Sequence, residues 1–467
     1  MTGQSPAYDV RRPPMRPSSL QASFLLVVAA LLLQLPLILN PGYFSHDELQ
    51  WASWSVGRAW SDVPWARLSD WKTFQYRPLT FNIWMQLSRW FFDTPFLMHA
   101  ACALIGAFNA VLLNIWMRQL GATPRAAFIA CLIWVLNPYA MLTHGWVGTL
   151  ADSLWVAFAL TGIVAVQSFA SLAQTRTRVN WQAAIVAFVL TAVSLLCKEA
   201  ALALPAAFLI SWYCLGRKST HLMAGLASSL AVVIYLCLRL QPMLAGAETA
   251  AAYSLSTPAP MHRWAEYLLF PALLTRAEPR ALLLEAFGTR HWLSIVTIAT
   301  MLAILLIRNW RMGLLWLLAP LAALVPVLLL PASFSHYAYG ASAVAALLLC
   351  LSAPSMAWLG RSAMILWLTL TVLHGLQIAG KLHWSGRIQA VLLNDIAALR
   401  SSQPGVALRI RSQQQNQQSI IMRSLSGIPT YRGVVWGNFV VPVGHGDATA
   451  THQMNAHGHI EHLRERE

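Results

Sequence analysis

Apolar runs of about 17 to 22 residues recur from residue 20 to residue 380, each long enough for a helix to cross a hydrocarbon core of about 30 Å. Within such a core every backbone amide and carbonyl must be satisfied internally, so only helices or a closed barrel can span it. The ten-residue segments of alternating polarity that a barrel needs are absent. The chain is therefore expected to fold as a helical bundle solvated by lipid. Its composition agrees, with 10% charged and 57% hydrophobic residues, against roughly 25% charged in an ordinary soluble domain.

Spans are predicted at 20–40, 96–117, 126–142, 150–172, 181–197, 200–216, 220–240, 291–307, 313–331, 341–358 and 362–380, about eleven in all. The first is read as an anchor although Arg11, Arg12 and Arg16 precede it. It lacks a small-residue cleavage site and ends in Leu39-Asn40-Pro41-Gly42. With the amino terminus in the cytoplasm, the short inward loops hold Arg118 and Arg125, Arg176 and Arg178, Arg217 and Lys218, Arg308 and Arg311, and Arg361. The short outward loops hold only Lys198, which is the positive-inside distribution. The same scatter of small basic groups at helix ends accounts for the formal charge of +15 without nucleic acid. All of the 17 acidic residues except Asp9 then fall on the outer side. Chemistry that needs a carboxylate has one face of the membrane on which to occur.

Residues 1–19 are read as a cytoplasmic tail, 20–380 as the membrane part and 381–467 as a small periplasmic α+β domain. An amphipathic helix at 388–400 and strands at 406–410 and 434–441 are expected there. Two outer loops, about 41–95 and 241–290, carry Trp-rich amphipathic stretches around Trp51, Trp54 and Trp264 that suit a membrane surface. Cys102, Cys131, Cys197, Cys214, Cys237 and Cys350 lie in or beside apolar runs without metal-ligand spacing and read as packing residues. His445, His452, His457, His459 and His462 show no regular ligand spacing and read as a solvated tail.

The outer loops gather the chemistry. Loop one carries Ser45-His46-Asp47-Glu48 and then Tyr76-Arg77-Pro78-Leu79-Thr80. Later outward turns carry His144, Trp146 and Asp152, then Lys198-Glu199, then His336, Tyr337 and Tyr339. A carboxylate can take a proton from an acceptor hydroxyl, and Lys or Arg can neutralise a phosphate leaving group, so both halves of a sugar transfer from a lipid phosphate are present. Plainer roles stand beside these. Ser45-x-x-Glu48 is a capping box for a helix running through Trp51 and Trp54. Lys198-Glu199 fits a charged turn, with Arg77 a surface charge before proline. Asp152 suits the dipole of a helix start, and His336, Tyr337 and Tyr339 suit an interfacial aromatic belt.

Taken in order, these pieces resemble the GT-C glycosyltransferases, in the branch that holds protein O-mannosyltransferases, lipid A aminoarabinose transferases and cadherin-type O-mannosyltransferases. The matching pieces are Asp47-Glu48, Tyr76 to Thr80, His99 to Asn109, Trp146 to Asp152, Cys197-Lys198-Glu199 to Pro205, Tyr235 to Arg239, Tyr267 to Pro271 and Tyr337-Ala338-Tyr339, across residues 20–380. The resemblance implies an inverting transfer in a bacterial inner membrane, from a polyprenyl-phosphate-linked sugar donor to a glycolipid, glycan or protein acceptor. It makes Asp47 the general base with Glu48 beside it. Lys198, Arg77 and, at the late motif, His336 fall to the donor phosphate, with Asp152, Glu199, Tyr337 and Tyr339 close to substrate. Cadherin-type relatives carry Arg where His336 stands, and histidine is mostly neutral at pH 7. Those relatives also carry helical repeats after the membrane part, which this tail lacks. Some members use a divalent cation beside the first-loop acids, and the sequence leaves that open at Asp47. The alternative functions are a lipid-linked glycan flippase or transporter, which would place ionisable groups along a mid-membrane path, and a glycan polymerase or ligase.

Overall fold

The computed structural model describes residues 18–73, 75–172, 178–214, 218–249, 260–274, 281–282 and 289–463. The basic tail with Asp9, Arg11, Arg12 and Arg16, together with Arg176, Arg217 and much of the second long loop, lies outside the described residues. Among the described residues seven helices are long and apolar enough to cross a bilayer: Pro95–Gln119, Val147–Leu172, Ser219–Ala245, His291–Arg308, Trp310–Leu328, Ser335–Ser355 and Trp358–Ser402. An eighth is broken, with Pro124–Val135 and Pro138–Gly145 meeting at 60°. Pro138 cannot donate to the preceding turn, and the Asn137 side chain instead accepts from the Tyr139 amide to start the second half afresh. Leu20–Leu33, Trp181–Cys197 and Glu199–Trp212 are shorter apolar helices at the other predicted spans. Among the described residues seven or eight helices qualify as crossings by length and composition, against about eleven predicted spans. The protein is a multi-pass helical membrane protein.

Val147–Leu172 gives the bundle its polarity. Its 26 residues run about 39 Å, with Asp152 in the first turn. Near its far end Gln119, next to Arg118, donates to the Val164 carbonyl and Ser168 hydroxyl. Lys218 there reaches the Ala170 carbonyl. Asp152 and the basic residues Arg118 and Lys218 thus lie at opposite ends of the helix.

A polar core stitches the helices together within the apolar layer. The Gln34 amide nitrogen donates to the Ala30 carbonyl, which leaves its oxygen to accept from His144 Nδ1 at 2.7 Å. His144 Nε2 then accepts the Tyr339 hydroxyl proton at 2.9 Å, and the Tyr339 oxygen accepts from Asn109 at 3.1 Å. Every donor and acceptor named in this chain is paired, which matters because a buried polar group left unpaired costs about 1–3 kcal/mol; the Asn109 Oδ1, also buried, has no hydrogen-bond partner among the described residues.

Two expectations for the tail are corrected. The last span and the amphipathic helix at 388–400 are one uninterrupted helix, Trp358–Ser402, of 45 residues. It has no proline to stop it, and at about 1.5 Å per residue it runs about 68 Å, roughly twice the hydrocarbon core. Gly375 and Gly386 are sites of close approach: a Cβ on the first would meet the Leu136 carbonyl, and on the second the Asn40 side chain. The apolar run at 434–441 splits into Val434–Val435 and Val440–Pro442 around a 3₁₀ turn at Gly437, whose φ is +47°. In the resulting sheet Leu408–Ser412 lies parallel to Val440–Pro442 on one side and His452–Met454 on the other, with Ile460–His462 antiparallel at the edge. The helix Gln418–Leu425 packs against this sheet and buries Ile420, Ile421 and Leu425.

The segment 40–48 is clamped from several directions. Asn40 donates to the Leu382 carbonyl at 3.2 Å, the Tyr43 amide to Gln389 at 2.5 Å, and the Tyr43 hydroxyl to the Phe92 carbonyl at 2.5 Å. His99 from the second span lies 2.8 Å from the Gly42 carbonyl. Loop one is therefore built onto both the bundle and the long helix.

Candidate active site

The helix His46–Ser55 opens with the capping box that its sequence spells. The Ser45 side chain accepts the Asp47 amide at 3.3 Å, while Glu48 accepts the amides of Ser45 at 2.7 Å and Phe44 at 3.4 Å. The neighbouring acids consequently differ. Glu48 is 1% exposed and both of its oxygens face backbone amides. Burial pushes its carboxyl up to about 7 against the pull of the Ser45 amide, and the Asp47 charge pushes the same way. Asp47 is 34% exposed, with Oδ2 taking the Ser45 hydroxyl at 3.2 Å and Oδ1 lying 3.4 Å from His46.

Pro78 opens the helix Pro78–Phe91, where a missing amide costs nothing, and holds Arg77 out of the helix with φ −134°. The helix is tied down by Thr80, which donates to the Cys197 carbonyl at 3.0 Å. On its other flank Trp84 and Phe81 pack at a tilt against Trp51 of the cap helix, ring centres 3.4 and 4.3 Å away, so Trp51 packs within the protein. The Thr80 contact brings Arg77 to the Lys198-Glu199 break, where the chain leaves one helix in an extended conformation before a 3₁₀ turn. Arg77 pairs with Glu199 at 2.9 Å, both side chains 18% exposed. Lys198 reaches both oxygens of Asp152 at 2.6 Å, with the side chains 5% and 2% exposed. Each predicted phosphate-binding cation is thus paired with one of the acids predicted near substrate.

A continuous chain of contacts joins the two ends. The Trp146 indole donates to the Ser45 hydroxyl at 3.2 Å. Its ring meets His336 edge-on at 5.3 Å, and His336 meets Tyr337 at 4.4 Å. The Lys198 ammonium lies 4.5 Å from the centre of the Tyr337 ring. Asp47, Glu48, His336, Tyr337, Lys198, Asp152, Arg77 and Glu199 therefore belong to one network at one end of the bundle. Tyr339 does not face the same way: it opens the next helix, is fully buried, and belongs to the polar core through His144 and Asn109.

A carboxylate open to water at one end of this network can accept a proton, and the buried cations at the other can stabilise an anion. No three His, Cys, Asp or Glu side chains among the described residues gather as a metal cage. Glu48 is turned to backbone amides beside Asp47, so the donor set does not fit a cation there. Two apolar clefts open between the helices, one along Tyr139, Tyr267, Leu324 and Ala338, the other along Ile129, Trp134, Leu349 and Trp367, and neither is lined by a charged residue.

Sequence reasoning left Arg239, Trp146 and Arg423 without roles. Arg239 is 1% exposed, donates to the Trp71 carbonyl and lies over the Tyr76 ring beside Arg77. A lone arginine within an otherwise apolar helix was its signal. Arg423 gives no signal, because its role depends on a contact 379 residues away.

No protein-family model matches this sequence, and no curated protein matches it. Among solved structures the chain is similar to ArnT from Cupriavidus metallidurans, crystallised bound to undecaprenyl phosphate. The likeness covers 84% of this chain and 82% of that one, at 14% identity and a TM-score of 0.48.

Proposed function

We propose that this protein is a GT-C glycosyltransferase of the bacterial inner membrane that moves a sugar from a polyprenyl-phosphate-linked donor to a hydroxyl of a glycolipid, glycan or protein on the periplasmic side. One observation carries the reading: the contact network that joins the water-accessible Asp47 to the Lys198–Asp152 and Arg77–Glu199 pairs. Asp47 takes the proton of the acceptor hydroxyl as its oxygen attacks the anomeric carbon. The bond from that carbon to the phosphate oxygen breaks on the opposite face, inverting the configuration. The donor is a phosphodiester with one negative charge, and the departing polyprenyl phosphate gains a second as the bond breaks. Lys198 and Arg77 stabilise that developing charge, with Asp152 and Glu199 holding them until the phosphate arrives. Tyr337 stacks on Lys198 and fixes its direction. The apolar cleft beginning at Ala338, the residue after Tyr337, suits the prenyl chain. The positive-inside charge distribution supports a cytoplasmic amino terminus and a periplasmic site.

Proteoliposomes given polyprenyl-phosphate-linked pentoses and hexoses in turn, with release of polyprenyl phosphate as the readout, test this. Asp47→Asn should abolish turnover while leaving insertion and melting unchanged. Native turnover in that variant removes Asp47 as base. Lipid translocation without sugar transfer, measured in the same vesicles, would favour the flippase.

A further inference from the structure

The C-terminal domain touches the residue beside the proposed base. The Arg423 side chain donates to the Phe44 carbonyl at 2.6 Å, and its guanidinium lies 3.9 Å over the Phe44 ring. The Gln50 amide donates to the Ser426 and Gly427 carbonyls at 3.2 and 3.0 Å. Gly427 has φ +68°, a left-handed conformation that favours glycine. Between these anchors His46 Nδ1 lies 3.0 Å from the Arg423 carbonyl. A carbonyl only accepts, so Nδ1 carries the proton, and in the neutral ring the lone pair sits on Nε2. Nε2 stands 3.4 Å from Asp47 Oδ1, and the two side chains are 27% and 34% exposed.

We propose that the C-terminal domain completes the site: its Arg423 carbonyl fixes His46 in the tautomer and orientation that present Nε2 to Asp47, making His46 the positioning residue and proton acceptor behind the base. This rests on the assignment of Asp47 as base. The acceptor O–H bond breaks as its oxygen bonds the anomeric carbon, and the phosphate oxygen leaves with the electron pair of its old bond. The proton goes to Asp47 and then to His46 Nε2. The imidazolium so formed lies between the Arg423 carbonyl and the restored Asp47 carboxylate until it gives the proton to water. The Asp47 carboxylate on its own helix and the Arg423 backbone carbonyl across the interface flank the ring, and the Arg423 Nε is bonded to the Phe44 carbonyl.

Three measurements on the protein test the idea. In ¹⁵N-histidine-labelled protein, His46 is expected to show protonated Nδ1 and unprotonated Nε2, and the opposite tautomer overturns the proposal. With whichever polyprenyl-phosphate sugar the native protein turns over, His46→Asn keeps a donor for the Arg423 carbonyl but removes Nε2. Its kcat should fall about 100-fold with donor KM unchanged. His46→Gly should regain turnover in imidazole buffer, whereas Asp47→Asn should not. Full activity in His46→Asn, or no imidazole rescue of a His46→Gly protein with native melting, overturns the role. An inactive Asp47→Asn beside an active His46→Asn leaves the base standing and removes His46 alone, while an active Asp47→Asn removes both.

Discussion

Replacing Lys198 by Met strands the Asp152 carboxylate in a site where the pair is 2% and 5% exposed. The ammonium lies 2.6 Å from each carboxylate oxygen. At an effective dielectric of about 20, charges at that distance attract by about 6 kcal/mol. Against this stands a dehydration cost of several kcal/mol for each ion, so the intact pair is close to balanced. A single variant keeps one of those costs and loses the attraction. Lys198→Met and Asp152→Leu should each lose about 3–5 kcal/mol, whereas the double variant, apolar on both sides, should recover most of it. The assay is unfolding in mixed lipid–detergent micelles for the four proteins of the cycle, with turnover of the lipid-linked donor measured on the same samples. The double variant should be stable and inactive, which separates the contribution of the pair to folding from its part in holding phosphate. Additive single effects, with coupling below about 0.5 kcal/mol, would refute a closed buried pair. A stable, fully active double variant would refute the phosphate role.

Two further outcomes follow from the cap and its anchor. Glu48 is held up to about 7 from an ordinary 4.5, so its contribution to stability is complete below pH 4.5 and is lost as pH rises through about 7. Glu48→Gln keeps an acceptor for the Ser45 amide without ionising, and should exceed the native protein in stability by up to about 3 kcal/mol near pH 8. Parallel pH–stability curves for the two proteins would contradict this. Gly386→Ala places a methyl against Asn40, which also bonds the Leu382 carbonyl. It should cost about 1–3 kcal/mol and lower turnover by shifting the segment that carries Asp47. A native melting temperature together with native turnover would show that the segment tolerates the intrusion.

What the chain alone determines is compositional or local. Membrane-length apolar runs place the helices because lipid offers the backbone no alternative partner. Ser45 and Glu48 specify their capping box because its partners lie within four residues. The gathering of acids at one end was legible in the loops, since charge at a helix end depends only on where the apolar run stops. Pairing was not legible. Arg77 finds Glu199 across 122 residues, and Lys198 finds Asp152 across 46, through the packing of helices whose rotations the hydropathy pattern does not set. The same packing turns Tyr339 into the polar core while Tyr337 covers Lys198. It also seats the C-terminal sheet and its helix on His46, a contact that arises because Trp358–Ser402 runs on well beyond a single crossing and carries them back over loop one. Local chemistry supplied the groups, and long-range packing in three dimensions decided which of them meet.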